Sequence, residues 1–372
     1  MKVGVLKEIK KQEYRVALQP SGSKVLTDNG HDVFVQSTAG QGSGFSDQMY
    51  KETGATLLST AKEVYETADL ILKVKEPLPE EYPLITEKHT VFTYFHYAAD
   101  KELTEAMIAS KSITIAYETV QKTDGSLPLL VPMSEVAGRM SIQVGAEYLE
   151  KMKGGRGVLL GGVPGVEPAN VIIIGAGIVG TNAAQMAAGM GANVTILDID
   201  LPRLRYLDHV MPKNVNLVMS NSYNIEKFIQ SADLVVGAVL IPGAKAPKLI
   251  TKDMLKIMKE GSVIVDVAVD QGGCIETVRP TTHDDPVFII DGVVHYCVAN
   301  MPGAVPFTST IALTNATFPY VLEIANKGAD KAVLGNKEIW HGVNTYKGAV
   351  TYEAVAEAFD LPYTTLESVI GK

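Results

Sequence analysis

The segment at residues 171–189 constrains the fold more than any other part of the chain. The apolar run VIII (171–174) leads directly into Gly175-Ala176-Gly177-Ile178-Val179-Gly180, and a helical pattern, TNAAQMAAG, follows. In a strand–loop–helix unit of this kind, the first glycine permits a tight turn, the second lets the backbone approach a pyrophosphate, and the third packs the helix on the strand. The phosphate lies against unpaired N–H groups at the helix N-terminus. The alternative is a turn whose glycines serve packing only. The order of strand, loop and helix favours a dinucleotide site.

An acidic residue stands where such a site needs one. Asp198 ends the next apolar run, NVTILD, 18 residues after Gly180. A carboxylate at this place accepts hydrogen bonds from the ribose hydroxyls and repels a 2′-phosphate, which favours NAD over NADP. Arg203 and Arg205 are close enough in sequence to weaken that preference. A dinucleotide site implies hydride chemistry, for which the protein supplies position and electrostatics.

The alternation of apolar runs indicates two α/β domains. Candidate strands before residue 120 are 3–6, 32–36, 55–59, 69–75, 90–95 and 113–118, and the alternation restarts at Ala169. Runs that are apolar at successive positions are typical of parallel strands covered by helices on both faces. We expect two doubly wound Rossmann-like domains with mainly parallel sheets, separated by a cleft. The substrate (catalytic) domain would comprise residues 1–130 plus 307–372, and the NAD-binding domain residues 131–306.

The glycine-rich stretch GGRGVLLGGVPGVEP (154–168) has two interpretations. Its composition is that of a flexible connector. The VLLGGV segment between glycines could also form a hairpin that pairs with a neighbouring subunit. A long helix is expected before this stretch, from Met133 to about Met152, because apolar residues recur there at every fourth position.

Composition excludes several classes of protein. The 372 residues are 46% hydrophobic and 20% charged, as in ordinary globular proteins. The net charge of −9 argues against a nucleic-acid partner. No apolar segment reaches the roughly 18 residues of a membrane helix, and the apolar N-terminal stretch is too short for a signal peptide, so a cytoplasmic location is expected. Cys274 and Cys297 lack metal-site spacing, and His283-Asp284-Asp285 lacks a further ligand, so no metal is expected.

Ionisable residues follow several predicted strands. Lys75 ends the run at 69–75, His96 follows that at 90–95, Glu118 ends that at 113–118, and Asp270 ends SVIVDVAVD; Arg15 lies beyond the first strand. Ligands of open α/β sheets bind beyond the carboxyl ends of strands. These residues are therefore expected on one rim, with Glu118 in a supporting role only.

Each charged candidate has an alternative interpretation. Arg15 could grip a carboxylate with two parallel hydrogen bonds, or it could be a solvated surface charge. Lys75 could polarise a carbonyl oxygen on which negative charge builds, or it could be a snorkelling lysine that shares a strand face with Lys73. On the strand SVIVDVAVD, Asp266 is expected in the middle with a structural role, and Asp270 at the end, open to a ligand.

His96 stands in the aromatic run FTYFHYAA (92–99). It is either a packed core residue or a proton carrier, and both interpretations require a partly buried ring. Tyr94, Phe95 and Tyr97 are expected to restrict solvent around it. Its place past a strand end favours the proton carrier.

Nearly the whole sequence resembles the alanine dehydrogenases. The segments that carry the resemblance are GVLKEIKKQEYRVALQP (4–20), GGRGVLL…NVTILDID (154–200), DVAVDQGG (266–273) and HYCVANMPGAVPFTST (295–310). The resemblance implies reversible, NAD-dependent oxidative deamination of L-alanine to pyruvate and ammonia by a hexamer. Tyr97 departs from the family, which usually has an aliphatic residue after the histidine.

The resemblance also implies roles for individual residues. Arg15 and Lys75 would bind the substrate carboxylate and carbonyl, while His96 and Asp270 would serve proton transfer and orientation. The expected cofactor site consists of Ser134, Gly175, Gly177, Ile178, Val179, Gly180, Asp198, Arg203, Ser220, Val239, Leu240, Val267, Ala268, Val269, Asp270, Arg279, Val298, Ala299, Asn300 and Met301.

Three other functions stay open. The soluble nucleotide-binding component of a proton-translocating transhydrogenase shares the two-domain arrangement, but it would work with membrane segments that are not seen in this sequence. Enzymes of the saccharopine dehydrogenase type also join amine and carbonyl substrates. A nucleotide-sensing protein without catalysis is the third, and the joint presence of Arg15, Lys75, His96 and Asp270 argues against it.

Overall fold

The computed structural model describes residues 1–239 and 246–370. The chain divides into two compact units. The first consists of Met1–Met133 and Val305–Lys372, and the second of Ser134–Ala304. Among the described residues, no helix combines the length and apolar character needed to cross a membrane.

The helices and strands alternate through most of the chain. Up to residue 148 they are β1 (Lys2–Val5), α1 (Pro20–Asp28), β2 (Asp32–Gln36), α2 (Asp47–Glu52), β3 (Thr56–Leu58), α3 (Ala61–Thr67), β4 (Leu70–Leu72), β5 (Thr90–Thr93), α4 (Lys101–Ser110), β6 (Ile113–Ala116) and α5 (Val131–Tyr148). The next elements are β7 (Asn170–Ile174), α6 (Ile178–Gly189), β8 (Asn193–Asp198), α7 (Leu201–Val210), β9 (Val215–Met219), α8 (Ser222–Ile229), β10 (Leu234–Gly237), α9 (Lys252–Leu255), β11 (Val263–Asp266), β12 (Val287–Ile290) and β13 (Val293–Tyr296). The last are α10 (Pro306–Lys327), α11 (Ala329–Gly335), α12 (Lys337–Gly342), β14 (Val343–Tyr346), β15 (Ala349–Val350), α13 (Glu353–Phe359) and α14 (Leu366–Val369).

The first unit is built on an eight-stranded sheet. Its strand order is β15-β14-β6-β5-β4-β1-β2-β3, and the six strands from β6 to β3 are parallel, as the apolar runs predict. Strand β14 pairs antiparallel with β6, and β15 with β14, so the C-terminal segment extends this sheet. Every residue of β4, β5 and β6 is buried, which fits a sheet covered on both faces.

The second unit contains a seven-stranded sheet in the order β12-β13-β11-β10-β7-β8-β9. All its strands are parallel except β12, which runs antiparallel to β13. Strand β8 ends at Asp198, as predicted. In the glycine-rich stretch before β7, Val163 and Val166 form an isolated antiparallel bridge, so this part of the stretch makes a tight turn.

Strands β4, β5 and β11 are among those that end earlier than the sequence predicts. Strand β4 ends at Leu72, β5 at Thr93 and β11 at Asp266, which is three, two and four residues before the predicted ends. In each case a carboxylate accepts a backbone N–H that follows the strand: Glu8 after β4, Glu118 after β5, and Asp266 itself after β11. Just after each of these strands, a side-chain carboxylate therefore takes the place of a backbone acceptor.

Two glycines have no room for a side chain: Gly175 in the loop after β7 and Gly180 in the first turn of α6. Gly175 has φ +106°, and a Cβ on it would lie 2.7 Å from the carbonyl oxygen of Ala238. A Cβ on Gly180 would lie 1.8 Å from the carbonyl oxygen of Gly175. Because both obstacles are backbone atoms, rotation of a side chain cannot relieve either clash.

We predict that Gly180→Ala lowers the free energy of unfolding by about 3 kcal/mol or more. Overpacking usually costs about 1–3 kcal/mol, and here the obstacle is a backbone atom. Gly189→Ala in the same helix is the matched control, since a Cβ there meets nothing within 4 Å. It should be neutral or stabilising by up to about 1 kcal/mol. Urea unfolding of both variants measures the difference. Equal stabilities would contradict the packing role of Gly180.

Candidate active site

Three predicted site residues lie together at one edge of the first sheet. Arg15, Lys75 and His96 follow β1, β4 and β5, which are neighbouring parallel strands, so their carboxyl ends lie at the same edge. The charge of Arg15 acts on both Lys75 and Tyr94, and the ring of Tyr94 stacks on that of His96 with centroids 5.9 Å apart. The fourth residue, Asp270, belongs to the second unit.

Arg15 is buried, so its interpretation as a solvated surface charge is wrong. It is only 2% exposed. Its Nε donates to Oε1 of Glu13 at 2.6 Å, and its Nη2 donates to Oε2 at 2.5 Å. Its Nη1 contacts Sδ of Met133 at 3.0 Å. Sequence reasoning missed Glu13; the one available signal was that a buried guanidinium needs a carboxylate nearby.

The pKa of Glu13 reflects this pairing. Burial raises the pKa of the carboxyl, but the hydrogen bonds and charge of Arg15 outweigh burial and lower it to about 2. Glu13 is therefore ionised at neutral pH, and the pair holds the guanidinium in one orientation.

Lys75 and Lys73 differ in their surroundings, contrary to the expectation of a shared strand face. Lys73 is fully buried, and its Nζ lies 3.3 Å from Oε2 of Glu8 and 2.9 Å from Oε1 of Glu81. Lys75 is partly exposed, and its pKa is lowered, first by burial and then by the charge of Arg15. Both lysines follow the end of β4 and lie outside the strand.

His96 has an exposed ring, so the expected partly buried ring is wrong. Its backbone adopts the left-handed conformation, with φ 54°. Phe95 and Tyr97 turn into the core, where their rings stack on each other with centroids 4.6 Å apart. The hydroxyl of Tyr97 donates to Oγ1 of Thr114 at 2.9 Å. Tyr97, the departure from the family pattern, is thus a core residue, and of the three neighbours only Tyr94 stacks on the imidazole.

Glu118 contacts the histidine through the backbone. Its carboxylate accepts the N–H of His96 at 2.5 Å and that of Phe95 at 3.0 Å. Glu118 itself lies on a single 3-10 turn directly after β6. Glu118 was expected only in a supporting role. In the structure it directly contacts the segment that carries His96.

In the second unit, Asp266 and Asp270 have different environments. Asp266 is fully buried; its Oδ1 accepts the N–H of Ala268 at 2.9 Å, and its Oδ2 accepts that of Cys274 at 3.0 Å. Burial raises the pKa of Asp266 to about 6, although these backbone N–H groups oppose the shift. The structural role predicted for Asp266 is confirmed, but it ends β11 and does not lie within it. Asp270 is exposed on the 3-10 turn Val269–Gln271, where a strand end was expected.

The loop after β7 fits a dinucleotide. A Cβ on Gly177 would meet nothing within 4 Å, so the space over this glycine is open to a ligand. Within the described residues, no side chain caps the N-terminus of α6, which leaves its N–H groups for a phosphate. The carboxylate of Asp198 accepts the N–H of Ala176 at 2.5 Å and that of Asp200 at 2.8 Å, which holds it at the loop. Arg203 donates to the carbonyl oxygen of Ala176 at 2.9 Å and so covers the same loop.

The other residues expected at the cofactor mostly follow strands of the second sheet. Ser220 comes directly after β9, Val239 after β10, Val267–Val269 after β11 and Val298–Met301 after β13. These strands are parallel, so the residues lie at the edge where Asp198 ends β8. Val298 and Met301 are buried in this structure. The remaining expected residues are Ser134 on α5, Ile178 and Val179 at the start of α6, exposed Arg279, and Leu240, which lies outside the described residues.

Residues 1–239 and 246–370 contain no group of three or more His, Cys, Asp or Glu side chains that could hold a metal ion. Cys274 and Cys297 are both buried, and burial raises the pKa of each thiol to about 12. Both cysteines are therefore core side chains.

The Glu13–Arg15 pair predicts a specific pH dependence. The pKa of Glu13 falls from 4.5 to about 2 on folding. A lowered pKa contributes stability that is present above the unfolded value, about 3 kcal/mol here, and is lost as the pH falls from about 4.5 towards 2. The stability gap between the wild type and Glu13→Gln should therefore shrink between pH 6 and pH 3. Urea unfolding at both values measures the gap, and a gap independent of pH would contradict the pairing.

Comparisons with known proteins cover the whole chain. The family model "Alanine dehydrogenase/PNT, N-terminal domain" matches residues 4–137, and the corresponding C-terminal model matches residues 141–353. An alanine dehydrogenase from Methanococcus maripaludis is 58% identical over 373 residues, with 100% of both chains covered. A solved L-alanine dehydrogenase is 50% identical with a TM-score of 0.95, covering 97% of this chain and 99% of that one. A solved transhydrogenase from Sinorhizobium meliloti is 25% identical with a TM-score of 0.82, covering 94% and 100%.

Proposed function

The chain belongs to the alanine dehydrogenase/PNT family, and we propose that it catalyses the reversible, NAD-dependent oxidative deamination of L-alanine to pyruvate and ammonia. One observation carries the proposal. In a chain similar over its whole length to proteins named alanine dehydrogenase, a buried guanidinium, a lysine of lowered pKa and an accessible imidazole meet at one sheet edge. The similarity to a transhydrogenase, at 25% identity, is weaker.

In the proposed reaction, Arg15 and Lys75 bind the substrate in the first unit. The substrate carries a carboxylate and, as pyruvate, a carbonyl oxygen beside it. The fixed guanidinium of Arg15 attracts the carboxylate, and the ammonium of Lys75 stabilises the negative charge that develops on the oxygen. Because both cations are largely removed from water, their attraction for an anion is stronger than that of surface residues.

His96 moves protons. A nicotinamide nucleotide, held by the residues after β7 and β8, would accept hydride from the substrate Cα in one direction and return it in the other. Oxidation of alanine gives an imine, and hydrolysis of the imine requires a base for the attacking water and then an acid for the departing amine. An imidazole can serve both steps, because its ring can both accept and donate a proton. Its exposed ring is accessible to water and substrate. We assign Asp270, on its turn in the second unit, to orientation of the reacting groups.

The second unit would hold NAD. The N–H groups at the start of α6 would bind the pyrophosphate over Gly177, and Asp198 would accept hydrogen bonds from the ribose hydroxyls. As parts of the same proposal, the first unit is the substrate domain, the second is the NAD-binding domain, and the chain works as a cytoplasmic homo-hexamer on small-molecule substrates.

The proposed activity predicts oxidation of NADH that depends on both pyruvate and ammonium, measured by the loss of NADH absorbance. His96→Asn should lower turnover by about 10²–10⁴, the usual range for loss of a general acid–base group, while NADH still binds. His341→Asn, which changes another exposed histidine of the first unit, should keep full turnover. Turnover of His96→Asn within a few-fold of the wild type would remove His96 from the mechanism.

Asp198 predicts use of NAD with strong rejection of NADP. Asp198→Ala should relax this preference without abolishing activity, because it removes the repulsion of a 2′-phosphate. Asp200→Ala is the matched control, since that carboxylate caps α7 by accepting the N–H of Arg203 and should leave the preference unchanged. The ratio of kcat/KM for NADH and NADPH is the measurement. Equal use of both cofactors by the wild type would show that Asp198 does not face the ribose.

A further inference from the structure

Two glutamates of the first unit bind backbone N–H groups in the same way. Oε1 of Glu8 accepts the N–H of Val74 at 2.6 Å and that of Lys75 at 3.4 Å. Glu118 accepts the N–H groups of Phe95 and His96. In each case the two N–H groups are consecutive, and the second belongs to a residue proposed to act on the substrate.

The sheet order explains how the two contacts arise. Strands β6, β5, β4 and β1 are neighbours in that order. Glu118 follows β6 and reaches the segment after β5, while Glu8 follows β1 and reaches the segment after β4. Each carboxylate thus continues the pairing of its own strand with the neighbouring strand, beyond the point where backbone pairing stops.

Glu8 is itself held by a buried charge network. Its Oε2 lies 3.3 Å from Nζ of Lys73, which also binds Oε1 of Glu81 at 2.9 Å. Glu81 further accepts the hydroxyl of Tyr65 at 3.1 Å and the N–H of Leu78 at 3.0 Å. All three charged side chains are buried. Since each is buried and has a charged partner, the carboxylate of Glu8 has little freedom to leave the backbone of Val74 and Lys75.

Glu118 binds a segment whose backbone has a conformation that residues other than glycine rarely adopt. His96 is left-handed, with φ 54°, a conformation that costs energy for a residue with a Cβ and persists only where the surroundings enforce it. The two N–H bonds to Glu118 come directly before and at this residue. They fix the direction in which the chain leaves β5, and this direction sends Phe95 and Tyr97 inward while the imidazole stays exposed.

We propose that Glu8 and Glu118 are positioning residues, each of which holds two successive backbone N–H groups and thereby presents Lys75 or His96 to the substrate. The inference rests on the proposed function. Neither carboxylate needs to touch the substrate, because each acts through the residue whose N–H it accepts.

Hydrogen exchange tests the two contacts independently of activity. Backbone amide exchange resolved by residue should become at least about tenfold faster at Phe95 and His96 in Glu118→Ala, and unchanged at Val74 and Lys75. Glu8→Ala should show the reverse. The glutamine variants keep a carbonyl oxygen that can accept the same N–H groups and should restore slow exchange in part. They also keep the test available if Glu8→Ala fails to fold.

The kinetics of the two variants should differ in kind. Glu118→Ala should lower kcat by about 10²-fold, the cost of an ångström-scale displacement of a catalytic group, with the KM for pyruvate within a few-fold of the wild type. Glu8→Ala should mainly raise the KM for pyruvate, because Lys75 is proposed to bind it. Glu105→Ala, which removes an exposed glutamate that forms a surface salt bridge with Lys101, should change neither parameter.

Double-mutant cycles separate positioning from a general structural effect. If Glu118 acts through His96, Glu118→Ala should lower kcat no further in a His96→Asn background, but should keep its full effect in a Lys75→Ala background. An equal loss of kcat in both backgrounds would overturn the positioning role. Unchanged exchange at Phe95 and His96 in Glu118→Ala would overturn the contact itself. A wild type without pyruvate- and ammonium-dependent oxidation of NADH would refute the proposed function, and the exchange data would still decide the two contacts.

Discussion

Just beyond several strands of this protein, side-chain carboxylates accept backbone N–H groups in place of backbone carbonyls. These hydrogen bonds determine how the protein presents its polar side chains. A parallel strand that stops leaves backbone N–H groups without a neighbouring carbonyl, and these groups need acceptors once they are buried. Glu8 and Glu118 supply the acceptors in the first unit, and Asp266 does so in the second. Charge-assisted bonds of this kind are shorter and stronger than bonds between neutral groups. The chain can therefore leave the sheet at a fixed place and in a fixed direction.

At the same edge of the first sheet, paired buried ions lie beside a lysine whose pKa is lowered. Arg15 is matched by Glu13, and Lys73 by two carboxylates, so these buried ions have partners that offset the cost of removing them from water. Lys75 lies near Arg15 in a largely buried place, and its pKa is lowered as a result. The charge of Arg15 disfavours the charged form of Lys75, whereas the charges of Glu76 and Glu13 favour it. In the proposed reaction, the substrate carboxylate would offset the repulsion between Arg15 and Lys75.

Sequence patterns predicted the architecture because the two sheets consist of buried parallel strands, whose apolar runs are visible without knowledge of their partners. The glycine loop and the strand end at Asp198 could be predicted for a similar reason, since the turn chemistry is local. The ends of β4, β5 and β11 could not be predicted in this way. Those of β4 and β5 depend on carboxylates from elsewhere in the chain, and that of β11 depends on the side chain of its own last residue, Asp266, which accepts a backbone N–H two residues later. The exposure of His96 follows from its left-handed backbone, which an aromatic run does not reveal. Nor did local spacing show that Glu13 would pair with Arg15.

The two units therefore present polar groups in opposite ways. In the second unit, no side chain caps the start of α6 within the described residues, and the space over Gly177 is open, so the proposed NAD site would use backbone N–H groups together with the side chain of Asp198. In the first unit, Glu8 and Glu118 accept the N–H groups of the segments that carry Lys75 and His96, so the proposed substrate site would use the side chains of these residues on a backbone that is held in place. A cofactor that keeps the same phosphates in every cycle suits the first kind of site. A reaction in which protons move at each step needs side chains that titrate, and such side chains act reproducibly only on a backbone that does not move.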